Sequence, residues 1–426
     1  MKLQAITVQD FRGFERAVVP FEPDVTVLVG VNGAGKTALL DATALLLSYL
    51  VAGIRSGRAA GKRLPIEDIR VGVPSASVML GATFEALGDA GTVSWEVTAT
   101  RSGHPKTREN SLTGLSAPIE AAQASIARGE PALPLAVYFP TNRNALDIPD
   151  RIRKHHDFAP INAFDGSLAA GERNFRTFFE WFRDEEDHEN QLALQLVSQG
   201  KPPARKPSLD AVRRAILALV PGASDLRIER QPQRMLLTKN GVRLDVAQLS
   251  DGEKCLLAMA GDLARRMAMA APTDPNPLQR PVVVLIDEIE LHLHPGLQRT
   301  ILPRLCQVFP LAQFIVSSHS PQVLSSVRAS QVRLIEHFEV RKLDRETFRR
   351  DTNRILDSVF DDPGRPPEVA TKLNALRDAI DEERYPAARA LIAELRVLLP
   401  GGDDPDVVFY EGLLPPEDLA DAEASG

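Results

Sequence analysis

A glycine-rich loop at residues 30–37, with the sequence G-V-N-G-A-G-K-T, carries side chains suited to bind a phosphorylated ligand. Its glycines allow the backbone to curl so that successive N–H groups point at phosphate oxygens. Lys36 places a positive charge on the β- and γ-phosphates, and the Thr37 hydroxyl is a ligand for Mg²⁺. The loop lies between a strand-like apolar run and a helix-like apolar run, which is the context that this P-loop motif requires. The sequence therefore predicts a site for ATP and Mg²⁺ formed by Gly30, Asn32, Gly33, Ala34, Gly35, Lys36 and Thr37.

Two adjacent carboxylates, Asp287 and Glu288, end the aliphatic run 282–286. Such a run is typical of a buried parallel strand, and ligands bind at the carboxyl ends of these strands. Asp287 can hold Mg²⁺ directly or through water. Glu288 is turned toward the γ-phosphate and is suited to orient or deprotonate water, which contributes about 10²–10⁴-fold to a rate. The pair predicts hydrolysis of the bound nucleotide.

The segment Ser250-Asp251-Gly252-Glu253, called the S-D-G-E motif below, precedes a long helical pattern at 255–269. Taken alone, it is a helix N-cap with an acidic residue in the first turn. The N-terminus of that helix can also bind an anion. Because the motif lies between the P-loop and the 282–288 segment in the chain, we expect Ser250, Gly252 and Glu253 to form a second phosphate-binding element.

The elements that must position these motifs can be placed along the chain from hydrophobic periodicity and turn residues. The predicted strands cover 3–8, 15–19, 76–87, 92–101, 133–138, 226–238, 242–244, 282–286 and 332–335. The predicted helices cover 38–54, 117–128, 173–199, 209–220, 255–269, 368–380 and 386–399. We therefore expect an α/β fold in which a mixed β-sheet is flanked by helices and accompanied by an antiparallel β lobe. The predicted domains are a head at 1–340, with a helical insertion at about 150–220, and a helical tail at 341–426.

Composition limits the class of protein. The net charge of −7, from 50 basic and 57 acidic residues, argues against a chain coated in nucleic acid but allows a local basic groove. Two cysteines exclude a disulfide framework and favour a reducing, cytoplasmic interior. The N-terminus lacks the pattern of a signal peptide. The longest apolar run, 38–54, contains Asp41 and follows the P-loop, so we expect a core helix there and no membrane span.

Several motifs together resemble the bacterial defence-associated ABC-type ATPases. They are FRGF at 11–14, GVNGAGKT at 30–37, VYFPTNR at 137–143, FFEWF at 178–182, LSDGEK at 249–254, LIDEIELHLHP at 285–295 and SSHSP at 317–321. The opening is similar to the ATPase heads of the RecF, SMC and OLD group. The tail, with DTNRIL at 351–356 and PPEV at 366–369, resembles the ATPase subunit of the Septu antiphage system, PtuA. The resemblance implies a self-assembling ATPase that pairs with a separate HNH nuclease.

The resemblance also implies roles for single residues. Arg12 is expected to reach the nucleotide phosphates, although a turn arginine can also be simply solvated. Ser250 is expected to dock on the γ-phosphate bound by another subunit, so that ATP joins two heads. His319 matches the switch histidine that hydrogen-bonds the γ-phosphate, or is a polar residue in a strand-end turn. The glutamine expected after the strand at 133–138 is missing, and Asn142 or Arg143 takes part of its role.

Three further features concern possible contacts with nucleic acid, a metal or a second subunit. The basic cluster at 151–156 could contact DNA phosphates or form a solvated face. The acidic run at 184–187 would repel nucleic acid locally. His292 and His294 have a spacing that invites a metal, but their position favours contacts across a dimer.

We expect no nuclease site in this chain. The Asp404-Pro405-Asp406 segment follows a glycine break, so its carboxylates would lie on a flexible loop, too loosely held for two-metal chemistry. The helical pair at 368–399 is then expected to dock another copy or a nuclease partner, or to pack on its own head.

Three function classes compete: an antiphage ATPase that controls a partner nuclease, a RecF- or SMC-type repair ATPase, and a transporter ATPase. An SMC protein needs long heptad arms, and no sustained heptad pattern is present. A transporter ATPase would have the missing glutamine, and the FRGF opening is foreign to it. The sequence favours the first class, with the repair ATPase as the alternative.

Overall fold

The computed structural model divides into two compact units, residues 1–350 and 351–426. The described residues are 1–85, 91–106, 109–129, 133–142, 158–169, 173–344 and 346–350 in the first unit, and 352, 355, 359, 365–399, 401 and 404–415 in the second. The first unit is called the head below. It ends later than the predicted residue 340, because the Thr347 hydroxyl donates to the Val327 carbonyl and the Arg349 N–H donates to the Ser325 carbonyl, which ties this segment to the head.

An antiparallel sheet ordered β2-β1-β4-β5 opens the head. Its strands are β1 (Lys2–Phe11), β2 (Phe14–Pro20), β4 (Ser75–Thr83) and β5 (Thr92–Thr100). Alternate residues of β1 such as Ile6 and Val8 are buried, as expected for a strand with one face on the core. Arg12 and Gly13 form the tight turn between β1 and β2.

The central sheet has the order β13-β12-β3-β11-β10-β6, with five parallel strands and the antiparallel edge strand β13. Its strands are β3 (Val25–Val29), β6 (Leu135–Phe139), β10 (Val282–Ile286), β11 (Ala312–Ser318), β12 (Val332–Glu336) and β13 (Glu339–Lys342). Every residue of β3, β6, β10 and β11 is buried, because helices or the other sheet cover both faces of a parallel sheet. The carboxyl ends of these parallel strands lie along one edge, where the predicted site residues follow them.

A third sheet consists of β7 (Ala223–Arg230), β8 (Gln233–Lys239) and β9 (Val242–Asp245), paired in that order. The prediction of one strand over 226–238 was wrong, since a turn at Gln231-Pro232 divides it. Proline has no N–H to donate to a ladder and therefore belongs at such a break.

The helices of the head pack against the sheets and against one another. They are α1 (Lys36–Ser56), α2 (Ser116–Ala127), α3 (Arg173–Ser198), α4 (Pro207–Leu219), α5 (Asp251–Ala270), α6 (Pro295–Gln298), α7 (Ile301–Val308) and α8 (Pro321–Leu324). Among the described helices, α1 alone has the length and composition to cross a membrane, but most of it is buried and it contacts β4 and β11. It is the core helix between two sheets. The predicted fold class, a mixed sheet flanked by helices with an antiparallel lobe and a helical insertion, is confirmed.

The second unit is helical, with α9 (Pro367–Asp381), α10 (Tyr385–Leu398) and α11 (Pro405–Gly412). Its own apolar core includes Leu376, Ala388, Leu395 and Val407. The apolar stripes of α9 and α10 thus face each other and α11, as the helical spacing of these residues requires.

Candidate nucleotide site

The P-loop is joined by a hydrogen bond to the end of β10, which carries Asp287 and Glu288 and is called the Walker B strand below. Thr37, in the first turn of α1, donates its hydroxyl to Asp287 Oδ2 at 2.9 Å. Asp287 follows β10 directly and is 1 % exposed, so its carboxylate has a fixed position. A hydroxyl oxygen and a carboxylate oxygen held together are hard ligands of the kind that Mg²⁺ takes alongside substrate phosphates. These two residues therefore fit the predicted Mg²⁺ site.

Lys36 is turned back onto its own loop. Its ammonium group donates to the carbonyl oxygens of Gly30 at 2.8 Å and Val31 at 3.0 Å. Burial lowers the pKa of Lys36, while the nearby carboxylates of Glu290, Asp287 and Glu288 oppose this shift by favouring the charged form. The ammonium thus lies at the centre of the loop, where phosphate oxygens would replace two backbone carbonyls as its acceptors.

The glycines of the loop meet two different requirements. Gly33 and Gly35 have φ values of +82° and +105°, which L side chains rarely adopt. At Gly30 a Cβ would lie 2.3 Å from the Ile335 carbonyl oxygen, so that position needs glycine for space. Ala34 is buried, and its N–H donates to the Val31 carbonyl at 3.2 Å, whereas Asn32 is exposed at the tip. The loop therefore presents its backbone to solvent at the N-terminus of α1, as a phosphate cradle must.

Ser317, which the sequence analysis did not single out, contacts the carboxylate of Asp287 and the backbone of Glu288. It lies near the carboxyl end of β11. There its hydroxyl donates to Asp287 Oδ1 and accepts the Glu288 N–H at 2.8 Å. The signal was present in the sequence, because strands 282–286 and 312–318 both lead into polar residues. Only their pairing in register, Ile286 opposite Val316, brings Ser317 to Asp287.

Glu288 has a left-handed backbone, with φ +47°. A non-glycine residue in this region is strained, and such strain persists where surrounding contacts determine it, often at functional sites. Here the Glu288 N–H is held by Ser317 and the Glu288 carbonyl accepts from Leu291 at 2.9 Å. The strained turn gives Glu288 a direction different from that of buried Asp287, and its side chain is only partly buried.

His319 is held by a second unpredicted residue, Glu290. Oε1 of Glu290 accepts the His319 backbone N–H at 2.7 Å and lies 3.0 Å from His319 Nδ1. An ionised carboxylate only accepts hydrogen bonds, so this contact assigns the proton to Nδ1 and does not use Nε2. Glu290 is 5 % exposed, and its Oε2 has no hydrogen-bond partner among the residues that the structure describes. The position of His319 is thus set by a buried carboxylate from the turn after β10.

Arg12 lies between two carboxylates. Its guanidinium donates to Asp68 Oδ1 at 2.8 Å and to Asp41 Oδ2 at 3.0 Å, and the Tyr138 hydroxyl donates to Asp41 Oδ1 at 3.0 Å. Burial and the Asp41 charge raise the pKa of Tyr138, so this hydroxyl remains a donor. Arg12 is therefore not a free, solvated turn residue, and its contact with phosphate stays a prediction.

The S-D-G-E motif forms a reciprocal cap on α5. Ser250 Oγ donates to Glu253 Oε2 at 2.9 Å and accepts the Glu253 N–H at 3.4 Å. Lys239 of β8 donates to Glu253 Oε1. Burial alone would raise the pKa of Glu253, but the hydrogen bonds from Lys239 and Ser250 outweigh it and hold that pKa below its usual value. The local cap and the predicted anion site therefore use the same hydroxyl.

Gly252 is required by a close approach. A Cβ at Gly252 would lie 2.4 Å from the His292 carbonyl oxygen, so the start of α5 packs directly on the loop after the Walker B strand. The structure thus joins the P-loop to Asp287 and Ser317 by hydrogen bonds, and the S-D-G-E motif to β8 and to the loop at 290–294.

Several other predictions can be placed. His294 is the N-cap of α6, where Nδ1 accepts the Gly296 N–H at 3.2 Å. No group of three or more His, Cys, Asp or Glu residues suited to a metal occurs in the described part of the chain, so the metal interpretation of His292 and His294 gains no third ligand. Asn142 is exposed in a turn. Arg143 and the basic cluster at 151–156 lie outside the described residues.

Two acidic segments have partners that the sequence did not indicate. In the 184–187 run, Glu186 pairs with Arg213 and Arg230, and Asp187 also pairs with Arg230. The repulsion of nucleic acid by this run stays a prediction. The Asp404-Pro405-Asp406 segment is not a flexible loop. Asp404 is the N-cap of α11, and Arg365 donates to Asp404 Oδ2 at 2.7 Å and to Asp406 Oδ2 at 2.6 Å. Arg365 and the helix N-terminus thus engage both carboxylates.

Comparisons with known proteins agree with this site. Residues 25–325 match the family model described as "AAA domain, putative AbiEii toxin, Type IV TA system". The "Retron Ec83 probable ATPase" of Escherichia coli is 27 % identical, over 93 % of this chain and 83 % of its own. The "Retron Vc95 probable ATPase" of Vibrio cholerae is 27 % identical, over 80 % of this chain and 74 % of its own.

Two further similarities are more limited. The "Septu protein PtuA" of Bacillus mycoides is 34 % identical, over only 22 % of this chain and 13 % of its own. A solved SMC head bound to the C-terminal winged-helix domain of ScpA is 16 % identical, over 81 % of this chain and 98 % of its own, with a TM-score of 0.46. The family match includes the P-loop, the S-D-G-E motif, the Walker B strand and His319. The chain therefore belongs to this AAA-domain family and is an ABC-type ATPase of the defence-associated kind.

Proposed function

We propose that the chain binds MgATP at residues 30–37 and hydrolyses it with Glu288 as the general base. The observation that carries this proposal is the Thr37–Asp287 hydrogen bond, which brings two motifs 250 residues apart in sequence to one point. A P-loop without a second acidic element could only bind phosphate. With Asp287 and Glu288 at its edge, it can also place a water molecule beside the γ-phosphate.

Thr37 and Asp287 would hold Mg²⁺ together with the phosphates. The ion would neutralise charge on the β- and γ-phosphates when bound. The chain itself contributes the backbone N–H groups of the P-loop, the Lys36 ammonium and the carboxylate of Glu288. Ser317 holds the Glu288 backbone, so the general base starts from a fixed point.

His319 is proposed to hydrogen-bond the γ-phosphate through Nε2. Glu290 supports this role, because it contacts Nδ1 and not Nε2. His319 is about half exposed, with 48 % of its side-chain surface accessible, so a ligand can reach it. Arg12 is proposed as a further phosphate contact, and its pairs with Asp41 and Asp68 fix its position when no nucleotide is bound.

Ser250, Gly252 and Glu253 are proposed to act on ATP bound by a second copy of the chain. Helix α5 has 20 residues, and its N-terminus is suited to bind an anion. Two heads would then enclose two nucleotides, and hydrolysis would release them. The assembly is a homo-oligomer whose formation depends on ATP.

The biological setting is proposed to be an antiphage system of the retron or Septu type, in which this ATPase controls a separate HNH nuclease. The named retron relatives over most of the chain support a defence role. The partial similarity to the Septu protein PtuA supports a Septu-type setting, and the nuclease partner is taken from the resemblance of the motifs and the tail. The genes beside this one would decide the setting: an HNH nuclease gene fits the proposal, while recombination genes would favour a repair ATPase.

The test of the core proposal compares three variants of the full chain. Lys36→Ala should abolish ATP binding in calorimetry, because the phosphates lose their buried cation. Glu288→Gln should keep ATP binding and lose about 10²–10⁴-fold in turnover, since a general base is removed. Lys201→Ala, at an exposed loop lysine, is the control and should match the parent. Turnover at the parent rate by Glu288→Gln would show that another group activates water.

A further inference from the structure

The hairpin between β12 and β13 has an unusual turn. Its two central residues, His337 and Phe338, have φ values of +49° and +62° and connect the paired residues Glu336 and Glu339. Two-residue hairpin turns of this kind favour Asn and Gly, because both positions are left-handed. A phenylalanine there is strained, and such strain persists where the surroundings determine it.

The Phe338 ring lies over the glycines of two nucleotide-site loops. Its carbons are 2.3–2.5 Å from where a Cβ would stand on Gly13, and 3.2 Å from that of Gly35. Gly13 belongs to the FRGF turn and Gly35 to the P-loop. The ring meets Phe14 edge to face, with centroids 5.4 Å apart and planes at 81°. Phe338 therefore contacts both loops directly.

Phe338 remains accessible although its aromatic neighbour does not. Phe338 is 36 % exposed, whereas Phe14 is fully buried. Phe14 alone already fills the space beside Gly35, where its ring carbons approach the Cβ position to 2.6 Å. Phe338 thus adds an aromatic surface at the rim of the P-loop, beyond what is needed to pack the loop.

The strand order gives the direction in which a nucleotide would extend. Asp287 and Glu288 follow β10, and His319 follows β11, on one side of β3. The γ-phosphate must face that side. β12 lies on the other side of β3, and the turn at 337–338 is at its carboxyl end, where ligands of α/β sheets bind. The nucleoside end of the ligand therefore points toward Phe338.

We propose that Phe338 is the platform on which the base of the nucleotide stacks, with Phe14 behind it as support. The proposal rests on the nucleotide binding proposed above and adds the site for the base. A flat purine on an exposed aromatic ring is stabilised by stacking, and this contact does not depend on the phosphates. The left-handed turn then serves to aim the ring at the rim of the P-loop.

The test measures the affinities of ATP and of inorganic tripolyphosphate, with Mg²⁺, for the full chain by titration calorimetry. Phe338→Gly removes the ring and suits the left-handed turn, so the variant should fold. It should bind ATP about tenfold more weakly, a loss typical of one stacked base, and bind tripolyphosphate as the parent does. Phe338→Tyr should restore ATP affinity. Phe348→Ala, at another aromatic of the head that is 38 % exposed, is the matched control and should bind both ligands like the parent.

The outcomes separate the two proposals. If Lys36→Ala loses both ligands but Phe338→Gly binds ATP with parent affinity, the platform is elsewhere and the P-loop assignment stands. An equal loss of ATP and tripolyphosphate in Phe338→Gly would mean that Phe338 only shapes the P-loop, and would overturn the base contact. If the parent binds neither ligand, the proposed nucleotide binding itself fails.

Discussion

The two phosphate-directed motifs of the head are in different states. In the group formed by Thr37, Asp287 and Ser317, called the Walker cluster below, both hydroxyls already donate to the Asp287 carboxylate beside the P-loop. In the S-D-G-E motif, the Ser250 hydroxyl donates to Glu253 within the cap of its own helix. The Walker cluster joins distant segments of one chain, whereas Ser250 of the S-D-G-E motif makes its side-chain hydrogen bonds within its own helix start.

The difference has a physical cause. An unsatisfied hydroxyl at a helix end costs free energy, so an isolated S-D-G-E motif closes on itself as a capping box. A γ-phosphate is a stronger acceptor than a carboxylate already shared with Lys239. A second ATP-bound head could therefore take over the Ser250 hydroxyl, and this exchange would make head association depend on ATP.

The largest expected effect is recovery of activity from two inactive chains. Lys36→Ala lacks a working P-loop, and Ser250→Arg blocks the S-D-G-E motif. Co-expressed in equal amounts, they should give mixed dimers in half of the population, each with one complete site. Steady-state ATPase activity should then reach about a quarter of the parent value, while each variant alone stays near zero.

Separate purification and mixing at high salt provides the control for chain exchange. If both chains fold and associate but the mixture stays inactive, Ser250 does not act across a subunit boundary. In that case the only role of the motif would be to cap α5.

The second experiment tests whether the preassembled Walker cluster includes Glu290. Glu290→Gln keeps the size and a backbone acceptor but removes the charge facing His319 Nδ1. We expect kcat to fall about 10²-fold with little change in the KM for ATP, since the histidine loses its fixed orientation but the P-loop is intact. The double variant with His319→Ala should be no slower than His319→Ala alone.

Glu346→Gln is the matched control, because Glu346 also accepts backbone N–H groups, from Ala329, Thr347 and Phe348, away from the site. Its turnover should equal that of the parent. Additive losses in the Glu290 and His319 double variant would assign Glu290 a role independent of the histidine.

The smallest effect concerns the cap itself. Lys239→Met removes the cation from Glu253 and should lower the unfolding free energy by about 1 kcal/mol, the scale of one hydrogen bond. The pKa of Glu253 is held below its usual value, so this stabilisation is complete above the pKa of an unfolded glutamate and is lost as pH falls through the folded value. Denaturant titrations of parent and variant should therefore converge in acid.

A stability difference that persists unchanged at acidic pH would show that Lys239 stabilises by packing and not through the Glu253 charge. Lys254→Met is a suitable comparison, because Lys254 pairs at 3.4 Å with Asp251, which is 81 % exposed. Exposed pairs of this kind contribute little.

The chemistry of each local segment could be predicted from neighbouring residues. The P-loop, the Walker B carboxylates and the S-D-G-E cap are encoded by neighbouring residues, because each depends on a backbone turn, a strand end or a helix start. Their order along the chain was enough to predict the α/β head. It was not enough for the strand at 226–238, where the turn at Pro232 was overlooked, or for Asp404, whose cap and Arg365 partner stabilise what sequence alone suggested was loose.

Tertiary structure decided which side chains meet. Ser317 reaches Asp287 only because β10 and β11 pair in register, and Glu290 reaches His319 only because two strand-end turns lie side by side. The engagement of Arg12 by Asp41 and Asp68, and the position of Phe338 over Gly13 and Gly35, join segments 29 to more than 300 residues apart. Local periodicity carries no information about such contacts, since they are set by strand order and by the packing of loops at one edge of the sheet.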